Sequence, residues 1–419
     1  MNERNDNLLQ IHPEKSRSKI DRHTTAFYLK VCGSLLLMTQ FLAQLSYGLI
    51  FQGFLWMGLL GVSGCGSQDP KSTTNAPEEP LDRSLTFKDI TLDQVNEDGE
   101  KIWTVRSPLA KYRNEKKVVN VERPEGELFQ NGKLLYKFSA KKGEVHQNGE
   151  KILLQENIVA TDPENGAVLR GQELEWFPKQ NLLIVRQLIG NHPQIEISAQ
   201  EGKVLTKMNQ LELQGNVVAT TKDPVLQMRS EALVWLVKQQ LVKSDRTLEF
   251  DRYLCNSVAN CAPSDRSVSD RGEYNLQTKV AKLENNVQLT LSQPPMNVQS
   301  DLILWNLTAQ TVTSEQPLQA FHRQRQFTLT GNQGVLNLPT QLLTVTGNVR
   351  ATGNQQKPFN LQANLMVWDI PKEDMEAEGN VIYQQANPPL NLSGSKAFGN
   401  LKTQTVVITG GNVVTEVVP

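Results

Sequence analysis

The side chains able to do acid–base, metal or thiol chemistry are few in this chain and badly spaced for it. The five histidines, His12, His23, His146, His192 and His322, are scattered. None sits at the short separation from another that places two imidazoles on one metal ion. No phosphate-cradling glycine loop, nucleophile elbow or zinc-protease motif occurs. Carboxylates are plentiful, but they alternate with apolar residues, as Glu212 and Glu284 do, which is the pattern of a solvated strand face. Cys255 and Cys261 are close enough in sequence to staple a loop as a disulfide in an exported protein, and no histidine or third cysteine accompanies them as a metal or redox centre needs. The inventory predicts no enzyme, no cofactor and no metal. Lys plus Arg total 43 against 44 Asp plus Glu, so the basic footprint of a nucleic-acid binder is missing too.

One thiol stands apart. No charged residue occurs from Val31 to Gln68, a run long enough to cross a bilayer, and it ends in Val62-Ser63-Gly64-Cys65. Small residues before a cysteine at the end of an apolar run resemble the lipobox of bacterial lipoprotein signal peptides. That resemblance implies cleavage before Cys65 and lipidation of its thiol; the other reading is an uncleaved anchor with an incidental cysteine. Either way residues 1–64 form a signal peptide or membrane anchor, and the remainder is exported and tethered. Residues 65–84, rich in Ser, Thr, Pro and charge, read as a flexible tether.

The elements that would hold any site come from a repeat. In QLELQGNVVATTKDPVLQMRSEALVW, residues 210–235, Leu211, Leu213, Val217 and Ala219 share one face of an extended chain. Gly215-Asn216 suits a bend or bulge between them. Related stretches occur at Asn157-Ile158-Val159, Asn286-Val287, Gly347-Asn348-Val349, Gly379-Asn380-Val381 and Gly411-Asn412-Val413, and the second half recurs with Trp176, Trp305 and Trp368. Asp98-Gly99, Asn131-Gly132, Asn148-Gly149 and Asn165-Gly166 mark hairpins. Nothing after residue 84 keeps a helical period. The chain is therefore all-β, built from repeated antiparallel hairpins that bury their apolar faces by stacking.

The polar, irregular stretch 251–271 divides the folded part into residues 85–250 and 272–419. Each half has one dry and one wet face. Leu211, Leu213, Val217, Leu283, Val287, Leu289, Leu343, Val345, Val349 and Val381 lie on the dry face, as do Met375, Ala377 and Tyr383. Two readings fit: a closed sandwich core, or splayed sheets whose dry faces line a groove for acyl chains.

FKDITLDQVNEDGEKIWTVRSPLAKY, LYKFSAKKGEV and EGKVLTKMNQLELQGNVVA resemble the LptC/LptA (OstA-like) family of lipopolysaccharide-export proteins. Ala140-Lys141-Lys142-Gly143 and Ala199-Gln200-Glu201-Gly202 match the family's A-x-x-G element, and Gly215-Asn216-Val217 its G-N-V. The resemblance implies an elongated, open β-jellyroll with acyl chains inside. The ten dry-face residues from Leu211 to Val381 would then line the lipid groove. It also implies a periplasmic bridge, anchored to the inner membrane, that receives lipopolysaccharide or a related glycolipid from an ABC transporter. Its other partners would be bridge jellyrolls or an outer-membrane translocon. This chain is about twice the family's usual length, which points to two fused modules. The alternative is a structural or polysaccharide-binding β-repeat envelope protein, which requires exposed aromatic platforms.

Overall fold

A computed structural model describes residues 85–410 and the strand Val414–Glu416, apart from residues 114–116, 147–148, 256–257, 259–260 and 354–357. The apolar run, Cys65, the tether and Gly411-Asn412-Val413 lie outside the described residues. What is described folds as strands, twenty-eight of them, every pair antiparallel.

The repeated Gly-Asn pair explains the architecture. The strand Gln210–Lys222 pairs with Val225–Leu236 along both halves, but the register shifts between Gln214 and Val217. There Gly215 and Asn216 take φ of +79° and +48°. Left-handed backbone costs glycine little and asparagine less than most residues, so this pair can turn a strand through a corner by a bulge. The same double left-handed step recurs at Glu156-Asn157, Asn285-Asn286, Gly347-Asn348 and Gly379-Asn380. Each long strand thus runs half in one wall and half in a second.

Short strands keep the walls distinct. Val225–Leu236 pairs with Leu248–Arg252 through residues 226–229 and with Leu241–Ser244 through residues 234–236. A serine pair sits at that break, with Ser230 Oγ and Ser244 Oγ 2.9 Å apart; Ser300 and Ser314 repeat it at 2.8 Å. Tracing the pairs gives two ladders that run side by side from Leu85–Val95 to Thr405–Thr409 and Val414–Glu416. Their inner faces share one apolar cluster from Trp103 to Ala397. This is the elongated β-jellyroll of stacked hairpins.

A second repeat runs along the rim of the first wall. Its turns place a left-handed residue at Asn181, Asn209, Gln240, Lys279, Gln310, Gln341, Glu373 and Gln404, with φ between +51° and +61°. The carbonyl of each but the last, Gln404, accepts an N–H from the next turn. Leu276 N reaches Gln240 O at 2.8 Å, Leu307 N reaches Lys279 O at 3.0 Å, and Leu401 N reaches Glu373 O at 2.9 Å. The turns are therefore stitched to one another as the strands are.

Pairing continues through residues 251–271. Leu248–Arg252 pairs with Asp265–Ser269, Arg252 opposite Asp265, and the described residues beyond the tether belong to one unit. Residues 253–264 form the excursion between those strands, and a disulfide joins Cys255 to Cys261 with their Cα atoms 6.5 Å apart.

Candidate binding interior

All ten predicted dry-face residues point into the jellyroll, and none is more than 5 % exposed. Leu211, Leu213, Leu283, Leu343 and Val345 come from the first wall. Val217, Val287, Leu289, Val349 and Val381 come from the second, Val217, Val287, Val349 and Val381 each directly after a corner bulge. The corner thus sends apolar side chains from both halves of one strand to the same interior, as a strand of unbroken alternation folded at a two-residue bulge must.

Along most of its length that interior is filled. Trp176, Trp235, Trp305 and Trp368 project from the first wall and are buried. They meet rings from the second: His192 lies 5.0 Å from Trp235, Phe250 5.8 Å from Trp305, and Phe327 4.8 Å from Trp368, centroid to centroid. The edge-to-face pairs, His192–Trp235 and Phe327–Trp368, add to the burial of large rings. The middle of the jellyroll is packed like a core.

The last repeat differs. Aligned on the turn, Leu174-x-Trp176, Leu233-x-Trp235, Ile303-x-Trp305 and Met366-x-Trp368 alternate with Gly202-x-Val204, Gly272-x-Tyr274, Gly334-x-Leu336 and Ala397-x-Gly399. In the second series Gly399 stands where the earlier turns carry Val204, Tyr274 and Leu336. A Cβ at Gly399 would meet nothing nearer than 3.4 Å. Beside it lies a small cleft of about 60 Å³, lined by Phe327, Phe359, Leu361, Met366, Met375 and Tyr383 among others. Phe359 and Tyr383 stack 5.6 Å apart and Phe327 follows at 6.2 Å, so three rings pave one side. None of the ten predicted groove residues lines this cleft, although Met375, Ala377 and Tyr383 carry the same dry-face pattern. The glycine at 399, where the series otherwise has Val, Tyr or Leu, was the available signal.

Opposite the corners, the two rims meet through side chains among the described residues. Gln130 of the second wall donates to Asn181 Oδ1 at 2.8 Å and Thr206 Oγ1 at 3.0 Å in the first. Lys279 pairs with Asp223 at 2.8 Å, and Arg325 with Glu373 at the mouth of the cleft. Arg252 donates to Asp265 at 2.6 Å and lies 5.4 Å over the Trp305 ring. Two histidines line this seam as neutral acceptors. His192 Nδ1 takes the Gln194 N–H at 3.2 Å, and His322 Nδ1 takes the Arg325 N–H at 3.1 Å. Burial lowers the pKa of both, helped by Lys222 at His192 and by Arg325 and Arg323 at His322. Burial likewise raises that of Tyr383.

Among the described residues no group of three or more His, Cys, Asp or Glu is placed to hold a metal, and no helix is long and apolar enough to cross a membrane. What the arrangement can do chemically is bury apolar chains without bonding to them. The family described as "Lipopolysaccharide-assembly, LptC-related" matches the chain three times, over residues 54–183, 168–261 and 260–352. The matched stretches end at residue 352, before Ala397 and Gly399. No curated protein matches the chain.

Proposed function

The chain belongs to the LptC-related family of lipopolysaccharide-assembly proteins, and from that premise we propose that it is a membrane-tethered periplasmic bridge for lipopolysaccharide or a similar glycolipid. Membership ties it to lipopolysaccharide transport and to a carrying rather than a catalytic role. The finer reading is that acyl chains travel between the two walls, past the ten dry-face residues from Leu211 to Val381. The observation that carries it is one apolar interior shared by every repeat and closed along its seam, among the described residues, by side-chain contacts. Exposed pairs of that kind contribute up to about 1 kcal/mol each, so the walls can part there while the corner bulges keep them joined.

Strand edges supply the couplings. Leu85–Val95 pairs only with Lys101–Arg113, and Thr405–Thr409 only with Leu390–Asn400, among the described residues. Phe87 and Val407 are exposed beside those free edges. Edge strands left bare invite another chain, and strand addition would extend the interior into the next jellyroll. We assign the first edge to the inner-membrane ABC transporter and the last to another bridge protein or the outer-membrane translocon. Cys65 is the lipid anchor in this reading: Cys65→Ala should leave an uncleaved precursor without palmitate label, and unchanged migration of the variant would favour a spanning helix.

A photocrosslinking residue at Leu213 or Val349 in cells should capture glycolipid, and one at the outward Gln214 should not. Capture confined to Gln214 would sink the proposal. The polysaccharide-binding alternative needs aromatic platforms on the outside; Trp176, Trp235 and Trp305 are buried instead.

A further inference from the structure

We propose that the Cys255–Cys261 disulfide is a site of thiol–disulfide exchange with a dithiol protein, and that it controls a latch on the seam. While the bond is intact Arg252 is held over Trp305, and reduction releases it. The inference goes beyond the carrying function, since it concerns how the two walls are kept together whatever passes between them.

Four observations place the disulfide at the latch. First, the excursion is an exception on its rim. Neighbouring strands of the second wall are joined there by turns as short as Asp223-Pro224 and residues 292–295, whereas residues 253–264 separate Leu248–Arg252 from Asp265–Ser269. A longer connection costs more entropy to hold closed, and a covalent link between its arms shortens the loop that must be closed. Second, those arms are what hold Arg252. Ser264 donates its N–H and its hydroxyl to Arg252 O at 2.8 and 2.9 Å, and Arg252 Nε donates to Asp265 Oδ2 at 2.6 Å. The arms are also tied to the flanking turns, Tyr253 N to Val225 O at 3.0 Å and Ser292 N to Asp265 Oδ1 at 2.8 Å. Third, the pair so held is far drier than Lys279 and Asp223: the side chains of Arg252 and Asp265 are 13 % and 1 % exposed. An ion pair out of water is favourable only while its geometry is kept, and water entering between the partners undoes it. Its guanidinium lies 5.4 Å over the ring of Trp305, which belongs to the first wall, so this pair reaches across the seam. Fourth, the bond lies at the surface. Both cysteines are half-buried, and Leu254, beside Cys255, is 76 % exposed.

The exchange balances. A thiolate of the dithiol attacks one sulfur to form a mixed disulfide, and the other cysteine leaves as a thiolate that takes up a proton. The second thiol of the reductant then displaces the first cysteine, so two electrons pass to this chain and the dithiol is left as a disulfide. With the arms parted, Ser264 and Asp265 no longer fix Arg252, and its guanidinium swings off Trp305 into water.

The test reads access to the interior of the full-length protein. Ala281 is completely buried opposite Trp305 on the adjoining strand. Ala281→Cys supplies a buried thiol whose alkylation by a maleimide is followed by mass spectrometry of its peptide. Adding Cys255→Ser and Cys261→Ser should raise that rate at least ~10-fold with the melting transition retained, because local opening sets the reach of a buried thiol. Arg252→Ala with the disulfide intact should give the same rise, and combining it with the serine pair should add nothing, as two changes in one latch do. Ala160→Cys, equally buried in an earlier repeat, should stay unreactive throughout. If the serine variant does not fold, the rate is read after native reduction with dithiothreitol and its removal. An unchanged rate in the folded variant overturns the latch, and a rise at both thiols overturns it too, since the loosening is then general. Additive effects of Arg252→Ala and the serine pair would sever the disulfide from Arg252. A bond that resists dithiothreitol until the protein melts overturns the exchange.

Discussion

Residues 303–310, ILWNLTAQ, and 397–404, AFGNLKTQ, build the same turn and bury different things. Both end in a left-handed glutamine, Gln310 at φ +52° and Gln404 at +54°, and both send an aliphatic N–H to the preceding turn. Yet Trp305 is completely buried against Phe250, while Gly399 carries no side chain and borders a small cleft. The difference teaches that the backbone of this jellyroll and the content of its interior are specified separately. Turn and corner residues decide where the walls run; two inward positions per repeat decide whether the space between them is core or cleft.

The harshest way to break that comparison is to empty the middle. Trp305→Ala should cost about 3–5 kcal/mol of stability, as large-to-small changes in a packed core do, read as a fall in the denaturant midpoint. A loss below ~1 kcal/mol would mean the middle is as hollow as the end, and the distinction would collapse. Next come the corners, which both regions share. Gly347 sits at φ +74°, and an added Cβ would lie 2.8 Å from Asn332 Nδ2; Gly99 has φ +81° with nothing within 4 Å. Both alanine variants bear the left-handed penalty of roughly 1–2 kcal/mol, but Gly347→Ala must also move Asn332, whose N–H bonds Thr346 O and Gly347 O. Gly347→Ala should therefore be the more destabilised of the two by thermal melting. Equal losses would show that the corner is not crowded.

The histidines sharpen the comparison by pH. His192 against Trp235 marks the filled middle, and His322 against Trp368 marks the border of the hollow end. Both imidazoles have lowered pKa values in the folded state, whereas an unfolded histidine titrates near about 6.5. As the pH falls below that value the unfolded chain takes up protons first, so the stabilising difference, complete above it, is lost towards the folded pKa. His322 is faced by Arg323 and Arg325; His192 is faced by Lys222, with Asp162 opposing it. Urea midpoints should drop on acidification, and His322→Gln should flatten the drop more than His192→Gln. A pH profile unchanged by either substitution would remove the histidines from the account.

The fold was largely legible because its signals are local and repeated. Alternation gave the strands, and Gly-Asn or Asn-Asn marked four of the five double left-handed corners, the exception being Glu156-Asn157. The rim was harder to see. Its signal is an aliphatic residue three positions before Gln, Asn, Lys or Glu, as in Leu276/Lys279, Leu307/Gln310 and Leu338/Gln341, and such a pair is unremarkable until its hydrogen-bonded ladder is known. The ten positions expected to line a groove are buried, but burial does not distinguish filling from lining. That depends on which side chain stands opposite, across a seam joining residues as distant as Gln130 and Thr206. The irregular run around Cys255 looked like a division because its polarity breaks the alternation, although Leu248–Arg252 and Asp265–Ser269 pair directly across it.

The smallest expected effect concerns how the filled middle is opened. Lys279 and Asp223 bridge the rims there at 2.8 Å, with their side chains 32 % and 87 % exposed. A pair so wet gains little Coulomb energy and restrains two flexible ends, so Lys279→Ala should change stability by less than about 1 kcal/mol. Its influence should appear in access instead. The corner bulges hold the walls together whatever happens at the seam, so loss of one latch lowers the cost of parting them without loosening the strands. Crosslinking of glycolipid at Leu213, inside the middle, should then rise in Lys279→Ala cells while the melting temperature stays close to that of wild type, and capture at Met375 in the hollow end should be unaffected. A simultaneous rise at both positions would mean that the seam opens as one piece, and that the two regions differ in filling but not in how they are entered.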